Sequence, residues 1–161
     1  ASKAESLISI NPGHRPGLID LTILRLKGQN LIIIILPAND LNEIHCYIGG
    51  IINHNLCKSI VVGGTPNHIH ILCELASTVS ISMLLQEIKR SSSKWIKNKY
   101  PQKQYFAWQN GYAAFSVSQS KLDAVRNYIQ NQQEHHTKKS FREELLEFLK
   151  SYQVEYKEEY L

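Results

Sequence analysis

The sequence lacks any apolar run able to cross a membrane as a helix: the longest, Leu31 to Leu36, is six residues, against the roughly 20 a spanning helix needs. Cysteine is scarce. Cys46, Cys57 and Cys73 are an odd set without CxxC spacing, which excludes a disulfide framework and points to a reducing compartment. There is no internal repeat, low-complexity tract, Pro/Gly/Ser-rich linker or charged-then-apolar signal segment. No GxxxxGK[ST] phosphate loop occurs, so no nucleotide cofactor is expected. With 161 residues, 43% hydrophobic and 20% charged, the chain is neither disordered nor fibrous. The expectation is one cytoplasmic domain over residues 1–161, with a helical tail over about 140–161 and no membrane partner.

What is present is a localised positive charge. Lys plus Arg is 18 against 14 acids, a net +4. Residues 141–161 hold three basic and six acidic side chains, which leaves residues 1–140 with 15 against 8. A basic body of this kind suits a phosphate-rich partner.

Apolar segments at Gly17–Leu26 and Leu31–Leu36, separated by Lys27-Gly28-Gln29-Asn30, read as strand material with a turn. Leu41, Ile44, Ile48, Ile51 and Ile52 have helical spacing, with Asp40 as the expected N-cap. Gly49-Gly50 weaken that helix and leave room for close packing on a sheet. The β-branched run Ser59–Val62, a turn at Gly63–Asn67 and the alternating His68–Cys73 form an expected hairpin. Ser80 to Tyr100 reads as an amphipathic helix stopped by Pro101, and Tyr112–Val117 as a strand. Ser120 is expected to cap a helix from Lys121 to about His136, and Phe141–Tyr152 reads as a last helix. Helices alternating with a hairpin-containing sheet predict an α+β, ferredoxin-like (split βαβ) antiparallel sheet with helices on one face. The other face stays available for chemistry.

Two constellations carry that chemistry. Alternation along a strand puts His68 and His70 on one face and Ile69, Ile71 and Cys73 on the other; two neutral imidazoles at that spacing can chelate one metal ion. On the helix after Ser120, Leu122, Val125 and Ile129 form an apolar stripe. Tyr128 and Gln132, four apart, share a second stripe that His135 continues. A phenol thus lies beside an amide whose carbonyl oxygen can meet a metal. The plain alternatives are polar residues on a wet strand face and a tyrosine flanking the core.

Together these residues resemble the single-tyrosine HUH transposases, the small enzymes of simple bacterial insertion sequences and their repeat-associated relatives. The resemblance rests on Pro66-Asn67-His68-Ile69-His70-Ile71-Leu72 and on the segment from Tyr128 through Gln132 to His135-His136. Two further blocks, Leu85 to Trp95 and Trp108 to Ser118, agree in order. Residues 1–16 and Leu31–Leu36 match poorly, and Asn67 stands where many relatives have Asp.

The resemblance implies a transposase for DNA transposition and recombination, acting on single-stranded DNA at hairpin-bearing ends of an insertion sequence. Tyr128 would be the nucleophile, forming a 5′-phosphotyrosine. His68, His70 and Gln132 would hold Mg²⁺ or Mn²⁺, with His135 or His136 as the alternative third ligand. It also implies a homodimer, in which Gln119-Ser120 could serve as a hinge. Lys89, Arg90, Lys94 and Lys97 would bind DNA phosphates, with Trp95 more at home in the core. A domesticated, non-transposing hairpin-binding relative is the alternative. A relaxase or a large replication initiator fits less well, given the tyrosine after the HxH strand and no helicase segment.

Overall fold

The computed structural model describes residues 8–9, 18–24, 38–66, 68–108, 112–132, 143 and 146. Their order is β1 (Ile8–Ser9), β2 (Leu18–Leu24), α1 (Ala38–His54), β3 (Lys58–Thr65), β4 (His68–Glu74), α2 (Ile81–Lys99), β5 (Ala113–Ser116) and α3 (Leu122–Gln130). The sheet order is β1-β5-β2-β4-β3. Strand β4 runs antiparallel to both β2 and β3, and β2 runs antiparallel to β5. The unit β2-α1-β3 is therefore a parallel pair split by β4, which is the ferredoxin-like arrangement read from the sequence. The short β1 adds to β5 in parallel, pairing Ile8 with Ala113; two residues are too few for alternation to announce.

Helices α1 and α2 form one layer over the sheet. The α1 stripe Leu41, Ile44, Ile48 and Ile52 is buried with Leu84, Leu85, Ile88 and Ile96 of α2 against Ile69, Ile71 and Cys73 of β4. Burying each such aliphatic side chain contributes about 1.5–3 kcal/mol. Tyr47 of α1 stacks on Trp95 of α2 with ring centroids 4.9 Å apart, and Lys99 pairs with Glu43 across the same seam. Trp95 thus packs partly buried against the core. Ser92, buried in the middle of α2, donates to the Ile88 carbonyl at 2.6 Å and receives Trp108 Nε1 at 2.8 Å, which ties the loop after α2 to that helix.

Several boundaries differ from the sequence reading for identifiable reasons. Helix α1 starts at Ala38, so Asp40 lies inside the first turn rather than capping it; its charge still complements the helix dipole there. Ser80 caps α2 by accepting from the Met83 amide at 3.2 Å. Ser120 does not cap α3: residues Gln119–Lys121 form a 3₁₀ turn, and the Ser120 hydroxyl is within 3.1 Å of the Ser118 hydroxyl. The expected turn at Gly63–Asn67 shrinks because β3 continues through Thr65 and β4 begins at His68. At the end of α1, Leu56 takes a left-handed φ of 63°. The Cys57 amide there bonds back to the Ile52 carbonyl and the Leu56 amide to that of Asn53, a Schellman closure that more often uses glycine.

Segment Leu31–Leu36 lies outside the described residues, as do His135, His136, Asn67 and the tail over 140–161 apart from Glu143 and Leu146, both helical. No described helix is long and apolar enough to cross a membrane.

His45, on α1, has a buried Nε2 with no hydrogen-bond partner among the described residues, and burial lowers its pKa from 6.5 to about 4. The folded value lies below the unfolded one, so its stabilising contribution is present above about pH 6.5 and is lost as pH falls towards 4. Chemical denaturation between pH 7 and 4 should therefore show wild-type stability falling relative to His45→Leu. The slope of that difference should reach about 1.4 kcal/mol per pH unit.

Candidate functional site

Strand β4 is buried along nearly its whole length, and its two faces have different neighbours. Odd positions enter the α1–α2 core, while His68, His70 and Leu72 point to the opposite face. Helix α3 lies on that second face. His68 is 1% exposed, His70 2% and Gln132 1%, so the imidazoles are enclosed rather than on a wet strand surface.

The sequence-predicted residues converge there. The His68 and His70 rings meet edge to face at 5.0 Å between centroids. The Tyr128 ring meets His70 edge to face at 5.7 Å. Gln132 closes the group, with Oε1 3.2 Å from His68 Nε2. Helix α3 ends at Gln130 rather than running on to about His136, and Asn131 closes it in a non-helical conformation, so Gln132 reaches the histidines from just past the helix that carries Tyr128. Ile129, on the adjoining stripe, anchors the helix as a fully buried side chain.

Thr65 joins this group, and no motif pointed to it. Its hydroxyl is 3.0 Å from His68 Nδ1, and Thr65 and His68 are directly paired across the hairpin. The signal available in the sequence was the short β3–β4 connection, which makes the residue three before His68 its cross-strand neighbour. With Nε2–H donating to the Gln132 carbonyl, Nδ1 accepts from Thr65. A hydroxyl can also accept from Nδ1–H, so Thr65 suits the tautomer that frees Nε2 for a metal.

The donor chemistry fits a divalent cation. Two imidazoles and an amide oxygen, without thiolate, are borderline-to-hard ligands. Neighbouring ligands of an octahedral ion with bonds of about 2.1 Å sit about 3 Å apart, close to the observed His68–Gln132 approach. Among the described residues, no cluster of three His, Cys, Asp or Glu side chains suggests a different metal centre.

The basic residues of α2 are not part of this cluster. Helix α2 packs on the odd-residue face of β4, so Lys89, Arg90, Lys94 and Lys97 lie across the sheet from the histidines. Lys94 is exposed and Lys97 half-buried. Arg90 is 73% exposed and pairs with Glu87 at 2.7 Å; Ser91 also donates to Glu87, and these hydrogen bonds hold the Glu87 pKa below its ordinary value. Lys89 is half-buried, and burial lowers its pKa to about 8, which leaves it largely protonated at neutral pH.

In overall fold the chain is similar to a candidate transposase from Deinococcus radiodurans R1. That match has 18% identity and a TM-score of 0.53, and covers 78% of this chain and 98% of that one. It is also similar to a REP-associated tyrosine transposase solved bound to a REP hairpin, at 14% identity and a TM-score of 0.56 over 80% of this chain and 74% of that one. No curated protein matches the sequence. The profile of the IS200-like transposases matches residues 34–132, a span that includes the histidine strand, α2, α3 and Gln132. With more than half its length matched and the HUH and tyrosine elements gathered on one face of the sheet, the chain belongs to the IS200-like transposase family.

Proposed function

We propose that this transposase cleaves and rejoins single-stranded DNA through Tyr128, at element ends that carry hairpins. The observation that supports this reading is the group formed by His68 and His70 of β4, Tyr128 of α3 and Gln132 just past that helix. The phenol oxygen attacks a phosphodiester phosphorus, and the bond from phosphorus to the 3′-oxygen breaks. The 5′-phosphate remains esterified to Tyr128, and the departing 3′-oxygen takes up a proton to become a free hydroxyl. An aryl phosphate ester keeps the energy of the original linkage, so a second 3′-hydroxyl can reverse the step and join a different strand without nucleotide hydrolysis.

A phenol with a reference pKa near 10 is a weak nucleophile at neutral pH, so rate must come from positioning and charge stabilisation. His68, His70 and Gln132 would hold Mg²⁺ or Mn²⁺, which when bound supplies Lewis-acid polarisation of a phosphate oxygen. Thr65 orients His68, and the edge-on contact with His70 orients Tyr128. Lys94, Lys97, Arg90 and Lys89 offer a positive surface on α2 for the DNA duplex stem, on the far side of the sheet from the cut. A neighbour in fold that was solved on a REP hairpin makes a hairpin the reasonable substrate. Two copies of the chain would bring two such sites to two strand ends.

Incubation with a hairpin-bearing single strand and Mn²⁺ should yield a denaturation-resistant protein–DNA adduct on a gel, and Tyr128→Phe should abolish it. An adduct that persists in that variant excludes Tyr128 as nucleophile, and a gel shift without any adduct in the wild type favours a non-catalytic hairpin binder. His68→Ala should lower the rate of adduct formation by about 100-fold or more with hairpin affinity little changed; parallel loss of both would make the histidine structural. Thr65→Val should weaken Mn²⁺ dependence by about 10–100-fold in a metal titration, whereas Thr65→Ser, which keeps the hydroxyl, should stay near wild type.

A further inference from the structure

We propose that Gly63 is a positioning residue for the reaction: its missing side chain seats α3 and so sets the approach of Tyr128 and Gln132 to the histidine pair. This rests on the reading of Tyr128 as nucleophile given above. Gly63 stands directly opposite His70 in the β3–β4 ladder, and directly opposed residues project to the same face of a sheet. A side chain at 63 would therefore occupy the ground beside the His70 imidazole. The backbone of α3 occupies it instead. A Cβ on Gly63 would lie 2.7 Å from the Ile129 carbonyl oxygen and 2.8 Å from Ile129 Cγ2.

The requirement is one of space rather than of backbone conformation. Gly64 is the described glycine with a left-handed φ, 142°, and there a Cβ would meet the His68 carbonyl at 2.4 Å. Gly63 has no such φ, so alanine can adopt its backbone geometry. The obstacle at 63 includes main chain, which no rotamer change removes. Helix α3 must move outward or β3 must bend. Ile129 follows Tyr128 directly and precedes Gln132 by three residues, so a displaced carbonyl carries both site residues with it. Gly50, on α1, has nothing within 4 Å of a built Cβ and serves as the neutral comparison.

The test uses the full chain as wild type, Gly63→Ala and Gly50→Ala, with three readouts. These are the adduct rate on a hairpin-bearing single strand in Mn²⁺, hairpin affinity by gel shift, and Mn²⁺ binding from the free-ion electron paramagnetic resonance signal. Gly63→Ala should slow adduct formation by roughly 10- to 100-fold and weaken Mn²⁺ binding by about tenfold, with hairpin affinity within about threefold. Gly50→Ala should match wild type in all three. Partial unfolding would reduce the number of Mn²⁺ sites without changing the affinity of those that remain, so the affinity shift separates positioning from loss of structure. The double variant Gly63→Ala/Ile129→Ala removes the Cγ2 contact but keeps the main-chain one. It should leave the adduct rate slow, because the main-chain contact persists, and it should lose further thermal stability because Ile129 is fully buried.

Wild-type adduct rate and Mn²⁺ affinity in Gly63→Ala overturn the proposal, as does a loss of hairpin binding in step with the adduct. Full recovery of the rate in the double variant also overturns it. A wild type that binds Mn²⁺ but forms no adduct rejects the nucleophile reading itself, whereas a wild type that forms the adduct and a matching Gly63→Ala reject only the role of Gly63.

Discussion

The structure depends on one strand being useful on both sides. Strand β4 is central, paired with β2 and β3, and its side chains alternate between two buried environments. Ile69, Ile71 and Cys73 complete the apolar layer under α1 and α2. His68 and His70 face the other way, where α3 covers them. Buried imidazoles are tolerable only with polar company, and Thr65 and Gln132 supply it for His68. The same alternation that stabilises the sheet thus creates a polar chamber on its far side.

That division also separates the tasks expected of a transposase. The group of His68, His70, Tyr128 and Gln132 sits on one side of the sheet, whereas α2 with its basic residues packs on the other. Under the proposed function, Lys94, Lys97 and Arg90 would hold DNA at a distance from the scissile bond rather than stabilise charge during its cleavage. The seam between α1 and α2 is held by the stacking of Tyr47 on Trp95, by Lys99 over the Trp95 ring and by the Lys99–Glu43 pair.

Much of this was legible in the sequence, and the reason is periodicity. A period of two marked β4 and assigned its histidines to a common face; a period near 3.6 marked α1, α2 and α3 and put Tyr128 beside Gln132. Side-chain capping was expected at Asp40 and Ser120 but occurs at Ser80, where the hydroxyl accepts from Met83. It failed at Ser120, where Ser118 and a 3₁₀ turn offer that hydroxyl a competing partner. Gly49-Gly50 were expected to allow close packing, yet a Cβ on Gly49 would meet Ser59 at an ordinary 3.4 Å and one on Gly50 would meet nothing within 4 Å. The close approach occurs at Gly63, because only the docking of α3 brings a backbone against that position.

The split βαβ order and the placing of His68 with His70 and of Tyr128 with Gln132 follow from local pattern, which is carried by neighbours in the chain. The family was implied by the resemblance of ordered motifs, and the profile match bears that out. Only the tertiary structure decided that the histidines are enclosed, that Thr65 orients one of them, that α2 and the tyrosine lie across the sheet from each other, and that Gly63 must lack a side chain. Each of these depends on which face α3 covers and how closely it lies there. That is set by contacts between residues more than 60 positions apart, such as His68 and Gln132, about which local periodicity is silent.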